Sequence, residues 1–374
     1  MLITGGAGFI GSSLATRLAA EGFEVLALDS LSPQIHGDDP PTTSSTFRVA
    51  SAAGKVIVGS VTSRSDLEEA LNGVHVVVHL AAETGTGQSM YQIARYAEVN
   101  VGGTALLLDI LATTKHSVRK VVVASSRAIY GEGSYVNAAG VQVYPAARTD
   151  EQLAAGRFDP EGPDGLALTS VPTDEYARLD PSSVYGVTKL AQEQLVLTAA
   201  AALGIAAVAL RYQNVYGPGQ ALRNPYTGIL SIFSTLVRQG GDINIFEDGL
   251  ESRDFVFIDD VVEATRAAIL EPAADGLAIN VGSGVPTTVL EVVAQLERAF
   301  GTTSSSRVTG NYRLGDIRHN VADLTRATDV LGYRPRVDFP TGIDRFAEWV
   351  KSERADGGGY ERSLDELRAR NLLK

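Results

Sequence analysis

Tyr185 and Lys189 stand four residues apart in Tyr185-Gly-Val-Thr-Lys189, at the start of a helical stretch that runs to Leu203. That spacing sets the phenol and the ammonium side by side on one face. A phenol titrates near about 10 and is a poor base at neutral pH unless a cation beside it stabilises the phenolate. Lys189 can be that cation, so the pair could exchange a proton with a substrate hydroxyl, although the same two residues would also suit an exposed helix surface. Ser125 and Ser126 weigh toward chemistry. They end the strand-like run Val121–Ala124, and the C-terminal ends of such strands are where a doubly wound sheet holds its ligand.

A second group of residues suits a dinucleotide. Gly5, Gly8 and Gly11 lie in Thr4-Gly-Gly-Ala-Gly-Phe-Ile-Gly11, between the apolar run Met1–Thr4 and a helical pattern through Leu14, Leu18 and Ala19. In that strand-turn-helix context the bare backbone lets a pyrophosphate reach the amides at the helix N-terminus. Asp29 closes the run Val25–Asp29, 18 residues after Gly11. An acid there accepts hydrogen bonds from an adenosine ribose and repels a 2′-phosphate, which predicts NAD in preference to NADP.

The elements needed to position these residues are legible as alternating patterns. Val25–Asp29, Val56–Val58, Val76–Leu80, Val121–Ala124 and Ala206–Leu210 read as buried strands, with helical stretches at Ser65–Leu71, Val99–Leu111 and Tyr185–Leu203 between them. Such alternation predicts an α/β fold, a Rossmann doubly wound parallel sheet with a smaller, partly interleaved C-terminal substrate lobe. We assign residues 1–211 to the dinucleotide domain, together with an interleaved segment 254–284, and residues 212–253 and 285–374 to the lobe. Gly217-Pro218-Gly219 and Asn224-Pro225 break the alternation, a helix is expected near Val289–Ala299, and Gly357-Gly-Gly359 sets off a short C-terminal helix. Residues 132–180, rich in proline and glycine, form an insert far longer than the usual connection of roughly 4–6 residues. It leaves the strand bearing Ser126 and returns just before Tyr185, so it is expected to cap the substrate pocket.

Composition narrows the partners. Among 374 residues, 32 Lys+Arg against 44 Asp+Glu give a formal net charge of −12, without a basic cluster to override it. Nucleic acid and anionic membrane surfaces are therefore poor partners. No apolar run approaches the roughly 20 residues of a membrane span, and the first residues lack a signal-peptide layout, so a cytoplasmic location is expected. The absence of cysteine excludes disulfides, thiol nucleophiles and cysteine-ligated metal. His75 and His79 share a strand face, but no acid joins them, and they read as strand histidines; no metal is expected.

Six motifs, in order, carry a resemblance: Thr4–Gly11, His79-Leu-Ala-Ala82, Asn100-Val-Gly-Gly-Thr104, Ser125-Ser-Arg-Ala-Ile-Tyr-Gly131, Tyr185–Lys189 and Arg211-Tyr-Gln-Asn-Val-Tyr-Gly-Pro218. Together they resemble the extended short-chain dehydrogenase/reductase superfamily, and within it the nucleotide-sugar epimerase/dehydratase branch of rhamnose-type or UDP-glucose/galactose 4-epimerase-like enzymes. The resemblance implies Ser126, Tyr185 and Lys189 as catalytic residues. It implies an NAD site made by Gly5, Gly8, Phe9, Ile10, Gly11, Asp29, Ser30, Ser60, Val61, Leu80, Ala81, Ala82, Asn100 and Gln213, with Tyr185 and Lys189 beside the nicotinamide. Gln88, Ser126, Asn214, Arg253 and Arg313 are implied to bind a nucleotide-diphosphate sugar, the two arginines through its diphosphate. A homodimer through a four-helix bundle is implied as well, from the Ala- and Leu-rich faces of the helices after Asn100 (Ala105, Leu106, Leu108) and around Tyr185 (Ala191, Leu195, Ala199).

The chain departs from the family's pattern at several points. Ser60 replaces an acid, Gln213 replaces an aromatic residue, and the long insert lacks the paired cysteines of the zinc-ribbon-like version. Members that eliminate water follow the catalytic Ser/Thr with Asp-Glu, whereas Arg127-Ala128 follows Ser126 here. That leaves equipment for hydride and proton traffic at one carbon, and so predicts epimerisation, at C4, through a transient 4-keto sugar. A nucleotide-sugar decarboxylase or oxidoreductase of the same family, or a non-catalytic dinucleotide-binding protein, are the alternatives.

Overall fold

The structure, a computed structural model, describes residues 1–222, 224, 226, 228–353 and 359–374. Pro225, Gly357 and Gly358 of the breaks noted above lie outside the described residues. Seven strands form the central sheet: β1 (Leu2–Thr4), β2 (Leu26–Asp29), β3 (Lys55–Val58), β4 (Val76–His79), β5 (Lys120–Ser126), β6 (Ala206–Tyr212) and β7 (Ala278–Val281). They are parallel throughout and lie in the order β7-β6-β5-β4-β1-β2-β3. The chain winds outward in opposite directions from β1 and β4, which makes the crevice beyond their C-terminal ends the switch point where such sheets bind ligands.

The valine-rich runs become the middle strands because both sheet faces are covered by helices, so continuous apolar sequence is the stable choice. All seven residues of β5 are buried. One apolar layer joins Leu107, Leu111 and Val196 to Val77, Val121 and Val123. The other runs from Ile3 and Leu14 through Val122 and Leu210 to Tyr216, Phe257 and Phe346, so it crosses from the dinucleotide domain into the C-terminal lobe.

Three helices matter for the site. α1 (Phe9–Ala20) follows the glycine turn, α2 (Gly103–Thr113) follows Asn100, and α3 (Val184–Leu203) carries Tyr185 and Lys189. The stretch expected to be one helix from Val99 instead opens as a π-helical turn over Ala97–Gly102, which turns Asn100 into the interior. α3 starts where the Ser183 hydroxyl accepts from the Gly186 amide at 3.1 Å, and it stops at Gly204, whose φ of 69° suits a residue without a side chain.

The C-terminal lobe holds the strands Asn214–Tyr216, Ser252–Phe257, Pro286–Thr288 and His319–Asn320 and the helices Ile229–Gln239, Val289–Phe300 and Phe339–Ser352. Between Ser252–Phe257 and Pro286–Thr288 the chain returns to the central sheet to add β7. A last helix, α4 (Gly359–Arg368), and the tail behind it lie on the lobe, where Tyr312 and Lys374 exchange backbone hydrogen bonds.

The insert differs from the expected cap. It folds as a small antiparallel sheet, Tyr135–Val136 between Gln142–Val143 and Thr169–Ser170, with a short helix Asp150–Ala154. None of residues 132–180 lines either of the two cavities at the switch point. Charge explains its placement. Buried Arg148 of the insert reaches both Glu247 oxygens at 2.9 Å and the Asp316 carbonyl at 2.8 Å, while buried Arg318 of the lobe reaches Asp159 of the insert at 2.8 Å. These ion pairs fasten the insert to the lobe, against the segment 316–318.

Candidate active site

The cleft at the switch point measures about 580 Å³, within the range of about 300–1,000 Å³ usual for small-molecule sites. One end is the glycine turn. Gly5 has φ 67°, and a Cβ on it would stand 2.9 Å from the Ala81 nitrogen; a Cβ on Gly11 would stand 2.3 Å from the Gly5 carbonyl oxygen. Only bare backbone packs this closely, and it leaves the N-terminus of α1, which has no acid in its first turn, facing the cleft. Asp29 braces the turn by accepting from the Ala7 amide at 3.0 Å and from the Leu31 amide at 2.9 Å. Its other neighbour is His36, with Nε2 3.6 Å from Oδ1. His36 also lines the cleft, and no spacing in the sequence pointed to it.

The other end is the catalytic corner, which β5, β6 and α3 build together. Ser126 and Tyr212 are register partners at the strand tips, and Ser126, Arg127, Tyr185, Lys189, Gln213 and Asn214 line one wall. The Tyr185 backbone amide donates to Ser89 Oγ at 3.0 Å, which fixes the first turn of α3. Burial pushes the Tyr185 phenol up, and a hydrogen bond with Ser126 and the positive charge of Arg127 pull it back. Arg127 is half-buried and donates from Nε to Asn214 Oδ1 at 2.6 Å; burial first, and then Arg253, bring its guanidinium down to about 9.

Lys189 lines the cleft together with Tyr185. Its Nζ donates to Gln192 Oε1 at 2.7 Å, and burial pushes the ammonium down to about 7, with Glu193 opposing. Arg127 is a second cation at this corner, one that acts on Tyr185 and that the sequence presents only as a missing acid. Behind the corner, Ser125 Oγ donates to Glu193 Oε2 at 2.6 Å, and Glu193 in turn pairs with Arg211 at 2.5 Å.

The remaining residues implied by the resemblance fall into two groups. Phe9, Ile10, Ser30, Ser60, Val61, Leu80, Ala81 and Ala82 line the cleft with Gly5, Gly8, Gly11 and Asp29. The Ser60 amide donates to Asp66 Oδ2 at 2.8 Å, so an acid from the following helix stands near the position where the family's own acid is missing. Arg313 lines a second cavity of about 70 Å³ that meets the cleft at Thr86, Arg127 and Ala128.

Asn100, Gln88 and Arg253 line neither cavity. Asn100 is fully buried and ties the Glu83 backbone to Thr188, accepting at 2.7 Å and donating at 3.1 and 2.9 Å. Gln88 lies under the wall, bonded to Gln34 and to the Tyr96 hydroxyl. Arg253 gives its donors to the Ser252, Ile317 and Arg318 carbonyls and to Asp316. Among the described residues no cluster of three or more His, Asp or Glu is arranged to hold a metal ion, and no helix is long and apolar enough to cross a membrane.

Comparison with known proteins agrees with this geometry. Over residues 1–282 the chain matches the model of the NAD dependent epimerase/dehydratase family. It is 38% identical to a dTDP-L-rhamnose 4-epimerase of Burkholderia thailandensis, over 94% of this chain and 95% of that protein. To a UDP-glucose 4-epimerase of Mycolicibacterium smegmatis it is 32% identical, over 94% and 98%. Among solved structures it resembles MoeE5 in complex with UDP-glucuronic acid and NAD, with a TM-score of 0.73 and 29% identity, over 94% of this chain and 98% of that one. It also resembles the UDP-glucuronic acid 4-epimerase of Bacillus cereus in complex with UDP-glucuronic acid and NAD, with a TM-score of 0.76 and 25% identity over the same shares. A glycine turn and a Ser-Tyr-Lys corner at opposite ends of one cleft, on a chain matched along nearly its whole length, make this protein a member of the NAD dependent epimerase/dehydratase family.

Proposed function

We propose that this chain holds NAD and interconverts the C4 epimers of a nucleoside-diphosphate sugar. The observation that carries the reading is the single cleft that joins the glycine turn and Asp29 to Ser126 and Tyr185. The residues present fit the cofactor. Bare backbone and the N-terminus of α1 suit a pyrophosphate, Asp29 suits an unphosphorylated ribose, and buried Gln213 in the wall leaves both amide atoms without a partner among the described residues. Bound there, NAD supplies the hydride acceptor and donor for C4.

The side chains supply the rest. In this reading Ser126 holds the C4 oxygen, and Tyr185 takes its proton and later returns it. Arg127 and Lys189 provide the positive charge that makes a buried phenolate affordable. The 38% identity to a dTDP-L-rhamnose 4-epimerase supports a thymidine-diphosphate 6-deoxyhexose as the first substrate to test, ahead of UDP-hexoses and UDP-hexuronates. The test is to release bound nucleotide by denaturing the purified protein, and to incubate intact protein with those sugars without added cofactor while following stereochemistry by proton NMR. NAD in the supernatant and one interconverted C4 pair are expected; NADP, or no sugar converted, contradicts the reading.

The same reading makes the protein a homodimer through α2 and α3. Val187 and Ile93 are each 54% exposed, and Ala105, Leu106, Ala191, Leu195 and Ala199 are exposed or half-buried alongside them. Leu108, expected on that face, is buried in the core.

A further inference from the structure

A hydrogen-bond chain runs behind the catalytic corner from α3 to β1, through side chains that are almost entirely shut off from solvent. Lys189 Nζ donates to Gln192 Oε1 at 2.7 Å, and Gln192 Nε2 donates to Thr104 Oγ1 at 2.8 Å. The Thr104 hydroxyl gives its one proton to the Asn100 carbonyl at 2.6 Å. It must therefore accept from His79 Nε2, 2.9 Å away, which places the imidazole proton on Nε2. His79 Nδ1 is then the acceptor for the Thr4 hydroxyl at 2.8 Å, and Thr4 Oγ1 accepts the Ala81 amide at 3.2 Å. Thr4, His79, Thr104 and Gln192 are 0% exposed and Lys189 2%.

The polarity of this chain has a consequence for the lysine. With the Thr104 proton committed, a flipped Gln192 would set its carbonyl against a hydroxyl that has nothing to donate and its amide against an ammonium. Only one orientation satisfies both ends, and it aims an acceptor at Lys189. His79 must be neutral to occupy its place, and burial, with Lys189 nearby, holds it down to about 3.

We infer that Gln192 is a positioning residue that holds the Lys189 ammonium in the catalytic corner, with His79 as the uncharged strut that orients it. The inference rests on the reading of Tyr185 and Lys189 as the proton-transfer pair. The charged and titratable groups that act on Lys189 are Glu193 on α3, with Arg211 of β6 locked onto it, and His79 from β4, while Tyr185 and Arg127 line the cleft with it. Burial already disfavours the ammonium, so losing an acceptor at 2.7 Å lowers it further, and a carboxylate in the same place raises it.

The test is the pH dependence of kcat for the intact holoenzyme carrying Gln192→Met, Gln192→Glu or Lys189→Met. For Gln192→Met the alkaline limb is expected to move down by about one pH unit, and for Gln192→Glu to move up, with KM for the sugar unchanged within about twofold. A Gln192 that merely fills space would cost the same factor at every pH, and parallel profiles overturn the inference. If the Met variant does not fold, the upward shift in the isosteric Glu variant decides alone. Lys189→Met should lose rate across the whole range. If it keeps wild-type kinetics, the assignment of the pair falls; if it loses rate while both Gln192 variants keep the wild-type profile, only the role of Gln192 falls. Nitrogen-15 NMR of histidine-labelled protein should find His79 protonated on Nε2, and a proton on Nδ1 would overturn the polarity of the chain.

Discussion

At the scale of single residues, the chemistry turns on how a buried phenol becomes a base. Burial works against Tyr185, and Ser126 and Arg127 work for it. Tyr185→Phe should therefore keep bound NAD and lose about 10²- to 10⁴-fold in kcat, because the ring still packs and no proton can be taken. Arg127→Met should act differently. Removing a cation raises the phenol, so the acidic limb of kcat/KM should move to higher pH, and an unmoved limb would show that Arg127 does not act on Tyr185. Tyr185, Lys189 and Ser126 are legible as candidates in the sequence because the helical spacing of the pair, the strand end that carries Ser126 and the family resemblance point the same way. Arg127 was visible only as a departure from a pattern, and Gln192 not at all, since its role exists only once α2, α3 and β4 bring Thr104 and His79 against it. Likewise Asn100, which the resemblance implies in the cofactor wall, is sent inward by the π turn to hold Glu83 and Thr188.

At the scale of elements, the alternation of apolar runs was enough to give six of the seven central strands, because valine-rich runs between helices have few other places to go. The seventh, Ala278–Val281, is covered only by the interleaved segment 254–284, since the polar Asn280 interrupts its apolar run. The insert departs from the expected cap for a physical reason. Both its ends are pinned near the site, but its course is set by Arg148 and Asp159 meeting Glu247 and Arg318, contacts between residues 99 and 159 positions apart. Arg148→Met should strip a buried carboxylate cluster of one cation and destabilise the protein by about 3–5 kcal/mol, measured by urea unfolding. Arg148 also holds the Asp316 carbonyl, and Asp316 and Arg313 share the wall of the second cavity. A rise in KM for the sugar with kcat nearly unchanged is therefore expected as well. A loss under about 1 kcal/mol with unchanged KM would show that the cluster is not what fastens the insert.

At the scale of the whole molecule, the sheet sets the two halves of the proposed chemistry at opposite ends of one cleft, and the C-terminal lobe closes it with Tyr226, Trp349 and Glu353. The apolar faces of α2 and α3 stand on the side away from that lobe's core cluster. Light scattering at micromolar concentration should return twice the chain mass, 2 × 39.5 kDa or about 79 kDa, and a value of 39.5 kDa would contradict the dimer. The proposed epimerisation removes and returns one hydride at C4 within a single cleft. The measurement that reaches it most directly uses a nucleoside-diphosphate sugar deuterated at C4, incubated in ordinary water with the purified protein and no added cofactor. Hydride removal and return predicts a product of inverted C4 configuration that keeps its deuterium; an epimer in which that deuterium has been replaced by solvent hydrogen would contradict it.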